Sequence, residues 1–202
     1  MYQIKSKTVL NPSVVRMDIE APLVARKAKP GQFIILRTEA EGERIPLTIA
    51  DSDKEKGTVT IIFQVVGATT EKLQHKNVGD CLADFVGPLG KPTHTEGLKK
   101  VAVIGGGVGC AIAYPVTKAL FEQGTEVHAI VGFRNKDLVI LEDDFRSHST
   151  RFVAMSDDGT WGEKGLVTDA LKALIEAGNQ YDEVIAIGPL IMMKFVCKLT
   201  KE

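Results

Sequence analysis

Val101-Ala102-Val103-Ile104-Gly105-Gly106-Gly107-Val108-Gly109-Cys110-Ala111-Ile112-Ala113-Tyr114-Pro115 is the stretch that decides the fold. A short apolar run rich in β-branched residues enters four glycines and leaves as a helix of small residues. Glycines let the backbone turn sharply and come close to a ligand. The helix start then offers free N–H groups and the positive end of its dipole. The pattern predicts a strand–turn–helix unit that cradles a pyrophosphate. Gly105 and Gly107 fill the first two positions of the dinucleotide fingerprint, and the third falls on Cys110. A plain tight turn is the alternative reading.

Upstream of this turn no strand–helix alternation is visible. Short strands are expected at 14–19, 32–37, 44–50, 59–66 and 81–86. Turn formers separate them: Asn11-Pro12, Pro30-Gly31, Glu41-Gly42, Lys56-Gly57, Val78-Gly79-Asp80 and Gly87-Pro88. Strands at such short spacing predict an antiparallel barrel. Residues 68–76 read as a short helix with Thr69 or Thr70 as N-cap. From residue 101 the pattern changes. Strands at 101–105, 126–132, 151–155 and 183–187 alternate with helices at 109–123, around 136–147, at 165–177 and from about 190. That alternation predicts a doubly wound parallel sheet. Lys91–Lys100 reads as the linker. We therefore expect a barrel domain over 1–97 and a nucleotide-binding α/β domain over 98–202.

The bulk composition excludes more than it establishes. A net charge of −1 over 202 residues gives no basic face for nucleic acid. The most apolar run, 101–116, is too short to span a membrane and is broken by glycines. The N-terminus has no apolar signal core. Three cysteines, at 81, 110 and 197, suit a reducing, cytoplasmic setting and lack metal-ligand spacing. The four histidines form no cluster, so no metal site is expected. His128, inside a predicted strand, reads as a packed core residue.

A barrel followed by this glycine turn resembles the ferredoxin–NADP reductase superfamily. Six stretches carry the resemblance: Arg44-Ile45-Pro46-Leu47-Thr48, Val66-Gly67-Ala68-Thr69-Thr70, Gly87-Pro88-Leu89-Gly90, Gly105 to Pro115, Gly132-Phe133-Arg134 and Gly188-Pro189. Within the superfamily the sequence is most similar to two kinds of subunit. One is the small subunit of NADH-dependent ferredoxin:NADP oxidoreductases, also called sulfide dehydrogenase beta subunit. The other is the electron-transfer subunit of dihydroorotate dehydrogenase. The resemblance implies an N-terminal flavin-binding barrel and a C-terminal nicotinamide-nucleotide domain, with FAD and NAD(H) or NADP(H) as cofactors. It assigns Arg44, Pro46, Leu47, Thr48, Phe63, Gln64, Val66, Gly67, Thr69, Thr70, Gly87 and Gly90 to the flavin. Gly105, Gly106, Gly107, Val108, Gly109, Arg134, Asp157, Asp158, Gly188 and Pro189 fall to the nucleotide. Thr48 is the implied catalytic group, hydrogen-bonding the flavin edge near N5. Each has a plainer reading as well. Thr48 suits any strand, Thr69 and Thr70 suit a helix cap, and Asp157-Asp158-Gly159 suits a turn.

Two departures from the family pattern stand out. Arg44 lies four residues before Thr48, where most of the superfamily has three. An offset of one turns a strand side chain to the opposite face unless a bulge intervenes. No aromatic precedes Thr48, which leaves Leu47 to cover the flavin. The related subunits also carry a C-terminal four-cysteine segment for a [2Fe–2S] cluster, and this chain reaches Glu202 without it. A shortened sequence, lacking that segment and a final parallel strand, is expected, with the cluster present only in a longer form. The expected reaction is hydride transfer between a nicotinamide nucleotide and FAD, then single electrons to an iron–sulfur partner, either a larger flavin/iron–sulfur subunit or ferredoxin. Two alternatives stay open: the electron-transfer subunit of dihydroorotate dehydrogenase, and a flavin-binding structural or regulatory subunit without catalysis. For the nucleotide, Arg134 and Lys136 favour NADP by charge. Asp137, Glu142, Asp143 and Asp144 oppose a 2′-phosphate, and NAD(H) is the expectation.

Overall fold

In the computed structural model, residues 2–201 are described. They form two compact units, Met1–His94 and Thr95–Glu202. The division falls inside the 91–100 segment.

The first unit holds β1 (Tyr2–Asn11), β2 (Val14–Glu20), α1 (Pro22–Ala25), β3 (Phe33–Arg37), β4 (Arg44–Asp53), β5 (Thr58–Gln64), α2 (Ala68–His75), β6 (Cys81–Leu82) and β7 (Asp84–Leu89). The strand order is β6-β1-β2-β5-β4-β3-β7, and every pairing is antiparallel. The two outer strands of this order, β6 and β7, are joined by Ala83 alone, and the Ala83 amide donates to the Arg37 carbonyl. A sheet whose ends are one residue apart must curl on itself, which makes the nearly closed barrel that the sequence predicts. Its interior is filled by Ile4, Met17, Ile19, Ile34, Leu36, Ile61, Leu82 and Phe85, with Leu73 of α2 closing one end. Each such side chain contributes roughly 1.5–3 kcal/mol by leaving water.

Three expectations need adjusting. The 81–86 strand is two strands, broken at Ala83 where the sheet closes. β1 escaped the sequence reading. The N-cap of α2 is Gly67, not Thr69 or Thr70.

The second unit holds β8 (Lys100–Gly106), α3 (Cys110–Glu122), β9 (Glu126–Phe133), α4 (Glu142–Ser147), β10 (Arg151–Ser156), β11 (Glu163–Lys164), α5 (Val167–Glu176), β12 (Glu183–Ile187) and α6 (Leu190–Leu199). All strands are parallel, in the order β11-β10-β9-β8-β12. The chain runs outward from β8 through β9 to β10, then returns to the other side of β8 as β12. That reversal is the topological switch point, where open α/β sheets bind ligands at the carboxyl ends of their strands. α3 packs on β8 and β9 with Cys110, Ala113 and Leu120 fully buried. His128 is a core residue at the other end of the sheet. Its ring nitrogens lie 2.9 Å from Tyr181 Oη and 3.0 Å from Glu126 Oε1. Burial, reinforced by the Lys100 charge, holds its pKa below the usual value.

Candidate functional site

β4 pairs with β3 in unbroken register from Phe33↔Thr48 to Arg37↔Arg44. With no bulge between Arg44 and Thr48, the strand alternates strictly. Ile45 and Leu47 pack toward the barrel core with buried Ile49, while Arg44 and Pro46 are exposed and Thr48 is half-buried. An offset of four therefore puts Arg44, Pro46 and Thr48 on one outward face, spanning about 13 Å of strand. Leu47 is on the opposite face, committed to the core, so Pro46 replaces it as the apolar surface of this row. Phe63 is likewise taken by the core, at 2% exposure, and Gln64, the last residue of β5, is exposed. The Leu47 and Phe63 side chains therefore face the barrel core and not the outward row. The Thr48 hydroxyl makes no hydrogen bond among the described residues.

The same outward face continues onto neighbouring strands. Ile35 pairs with both Pro46 and Val86, and Phe33 pairs with Thr48 and Leu89. At the other end of the row, Arg44 Nη2 donates to Asp84 Oδ2 at 3.1 Å, and Arg37 Nε lies 2.9 Å from the same oxygen. None of Phe33, Ile35, Val86, Arg37 or Asp84 was singled out from the sequence. They become neighbours of Arg44–Thr48 only through strand pairing.

Gly67 opens α2 in an extended conformation, and a Cβ there would meet nothing within 4 Å. The amides of Ala68, Thr69 and Thr70 lie in the first turn, where no intrahelical acceptor exists. Thr70 Oγ1 accepts from the Val66 and Gly67 amides at 3.0 and 3.1 Å, which fixes the turn. Thr69 Oγ1 donates to Glu43 Oε2 at 3.0 Å and so ties α2 to the start of β4. By contrast, Gly87 and Gly90 have local packing reasons. Cβ atoms there would come within 2.6 Å of Ile34 Cγ2 and 2.9 Å of Phe33 Cε1.

In the second unit the glycine turn sits at the switch point. A Cβ on Gly109 would lie 2.5 Å from the Ile187 carbonyl oxygen and 2.8 Å from Gly188 Cα. One on Gly106 would lie 2.5 Å from Met192 Sδ. The turn after β8 is thus pressed against the Gly188-Pro189 loop after β12. Gly107 is different. Its φ of +55° is left-handed and its Cβ direction is open, so its backbone faces free space beside Val108 and the start of α3. Cys110 Sγ is buried under the turn, and burial pushes its thiol far above the usual range. It is inert packing.

Along the same sheet edge, the loops after β9 and β10 are tied together. The Asp157 and Asp158 amides donate to the Phe133 and Arg134 carbonyls at 3.1 and 3.3 Å, and the Lys136 amide donates to Thr160 Oγ1 at 2.9 Å. Asp158 Oδ1 accepts from the Thr160 amide and hydroxyl, which holds its carboxyl below the usual range. Asp157 and Arg134 remain exposed. Glu142 accepts from Trp161 Nε1 at 2.7 Å and from Arg146 at 2.7 and 2.9 Å. Burial works against its ionised form, yet those bonds keep its pKa lowered. Glu142 is therefore already neutralised and no longer counts among the charges opposing a 2′-phosphate.

A barrel with an arginine–hydroxyl row on its outer face, followed by a parallel sheet with a glycine turn at its switch point, defines a ferredoxin reductase-like oxidoreductase. Residues 103–198 match the oxidoreductase NAD-binding domain family. Over its full length the chain is 51% identical to an uncharacterized protein in the adh 3′ region of Clostridium beijerinckii, covering 71% of that protein. It is 42% identical to a dihydroorotate dehydrogenase B (NAD(+)) electron transfer subunit homolog of Thermotoga maritima, again covering all of this chain and 71% of the other. The solved structure of an NADH-dependent reduced ferredoxin-NADP oxidoreductase superposes with a TM-score of 0.93 at 39% identity, over 100% of this chain and 72% of that one. The chain belongs to the ferredoxin reductase-like family of electron-transfer subunits that includes those of dihydroorotate dehydrogenase B. It is an oxidoreductase of electron-transfer type. Among the described residues, no helix is long and apolar enough to cross a membrane.

Proposed function

We propose that the first unit holds FAD, the second binds NAD(H), and the chain passes reducing equivalents from the nucleotide through the flavin to a larger flavin/iron–sulfur subunit in the cytoplasm. The observation that carries this reading is the outward row Arg44–Pro46–Thr48. It offers a cation, an apolar surface and an unpaired hydroxyl in the order that the phosphate, ring and reactive edge of a flavin require. The open space at Gly67 beside the first-turn amides of α2 suits the second phosphate of FAD.

The bound groups supply the chemistry: a nicotinamide that gives up hydride, and a flavin that accepts it and releases electrons one at a time. The chain's residues bind and orient. Arg44 and the α2 amides would neutralise the pyrophosphate. Thr48 Oγ1 would donate a hydrogen bond at the flavin edge where hydride arrives, worth about 0.5–1.5 kcal/mol. Gly107, Val108 and the opening of α3 would take the nucleotide phosphates through backbone N–H groups. Gly105, Gly106 and Gly109 would bring that backbone close, with Gly188 and Pro189 as the opposite wall. Arg134 and Asp157 would meet the adenosine ribose. NAD(H) is favoured over NADP(H) because the Thermotoga maritima relative is described by NAD(+) alone, whereas the solved neighbour's description carries both NADH and NADP. Asp158 is committed to Thr160 and leaves the ribose to its neighbours.

Anaerobic addition of NADH to the purified yellow chain tests the proposal. The flavin band should bleach in a single fast phase at a rate that saturates with NADH. A chain that binds flavin yet is not reduced by either NADH or NADPH would favour a structural flavin subunit. The dihydroorotate dehydrogenase assignment shares the half-reaction and differs only in partner. Co-purification of the native complex separates the two.

A further inference from the structure

Arg37, Arg44 and Asp84 form one cross-strand row on the outer face of the barrel. Arg37 is the register partner of Arg44 on one side and of Asp84 on the other. Two arginines directly opposite each other on adjacent strands repel. Asp84 offsets that repulsion through one carboxylate oxygen, which accepts a hydrogen bond from Arg44 Nη2 at 3.1 Å and lies 2.9 Å from Arg37 Nε as an ion pair, without the alignment of a hydrogen bond. The two guanidinium groups are not equivalent. Arg37 is largely covered, and its Nη1 donates to the Ala40 carbonyl, so it is anchored. Arg44 is 60% exposed and bound through one nitrogen, so its remaining N–H groups point to solvent.

We infer that Asp84, seated against Arg37, is the positioning residue that holds Arg44 for a flavin pyrophosphate. This rests on the flavin reading of Arg44. A free arginine samples many rotamers and loses that freedom on binding an anion. The carboxylate holds one edge of the guanidinium and leaves the other edge presented. The row keeps a net charge of one positive unit, so the anion still meets a cation.

The sign of the effect separates positioning from simple charge balance. If Asp84 only cancels charge, Asp84→Asn makes the site more positive and FAD binds tighter. If it positions Arg44, FAD binds more weakly. The test is a fluorescence titration of the deflavinated full chain with FAD and with riboflavin, which lacks phosphate. Arg44→Gln should weaken FAD by about tenfold or more, as expected for loss of a charge-assisted contact. Asp84→Asn should weaken FAD by roughly three- to tenfold. Riboflavin affinity should change less than about twofold in both. In the Arg44→Gln background, Asp84→Asn should add nothing, because the two act as one unit. Asp84→Ser serves the same cycle if Asp84→Asn does not fold. An Arg44→Gln chain that binds FAD like the parent removes the flavin reading of Arg44 and this inference with it. A normal Arg44 effect accompanied by unchanged or tighter FAD binding in Asp84→Asn, or by additive losses in the double variant, overturns the inference alone.

Discussion

Replacing Gly109 by alanine isolates close backbone approach from every other reason for glycine. Gly109 has φ −58° and ψ −20°, a conformation alanine adopts freely. On intrinsic helix preference alone, Gly109→Ala would stabilise by up to about 1 kcal/mol. The new Cβ, however, would sit 2.5 Å from the Ile187 oxygen and 2.8 Å from Gly188 Cα, against 3.4 Å for ordinary contact. Both neighbours are backbone, so the loop between β12 and α6 must shift bodily. Overpacking costs about 1–3 kcal/mol, and against backbone that cannot rotate away the upper part applies, about 2–3 kcal/mol, which leaves a net loss of roughly 1–2 kcal/mol after the helix term. For a unit of this size each kcal/mol moves Tm by about 4–8 °C, giving a fall of about 5–15 °C. Trp161 is the chain's one tryptophan and lies in the second unit. Its fluorescence therefore reports the melting of that unit directly. NADH-driven flavin reduction should slow in parallel, because Gly188 and Pro189 border the proposed nucleotide site. An unchanged or raised Tm by Trp161 fluorescence would refute the reasoning, since helix preference would then outweigh the contact.

Thr48→Val should retain FAD but slow its reduction by about two- to tenfold, the effect of one lost hydrogen bond; an unchanged rate would leave Thr48 a structural residue. Arg134→Ala should weaken NADPH more than NADH in steady-state KM, and equal losses would remove Arg134 from the ribose. Denatured protein should release FAD, and recovery of FMN alone would contradict the pyrophosphate role of the α2 turn. The buried His128 has a lowered pKa in the fold and an ordinary value near 6.5 when unfolded. The unfolded chain thus takes up the proton first as pH falls. Stability from this group is complete above pH 6.5 and declines as pH drops toward the folded pKa. His128→Gln should flatten that part of the denaturant-midpoint profile, and a parent profile already flat below 6.5 would show that His128 protonates without penalty.

The α/β half was legible because its central strands, β8 and β9, are buried on both faces and so read as continuous apolar runs. β12 is only half-buried along its length, yet it was found with its ends in place because Val184-Ile185-Ala186-Ile187 is an unbroken apolar run between Asp182-Glu183 and Gly188-Pro189. β1 was not visible because, among its first eight residues, only Ile4 is fully buried, so no alternation develops. The break at Ala83 comes from barrel closure, a tertiary event with no local signal. Parity along β4 was available from the sequence, since an even offset puts Arg44 and Thr48 on one face. The family comparison pulled the expectation toward an odd one. Asp84 lies 40 residues from Arg44, and no spacing rule connects them. The same holds for the Glu142–Trp161–Arg146 cluster, which turns an apparently repelling acid into a neutralised one.

The central claim is that this one chain carries both halves of a nicotinamide-to-flavin relay. Anaerobic stopped-flow mixing of the purified, FAD-loaded chain with NADH tests it most directly. The account predicts complete loss of the oxidised flavin band at a rate that saturates with NADH and falls in Thr48→Val. A flavin that stays oxidised under excess NADH and NADPH, in a chain whose Trp161 signal shows the second unit folded, would contradict it.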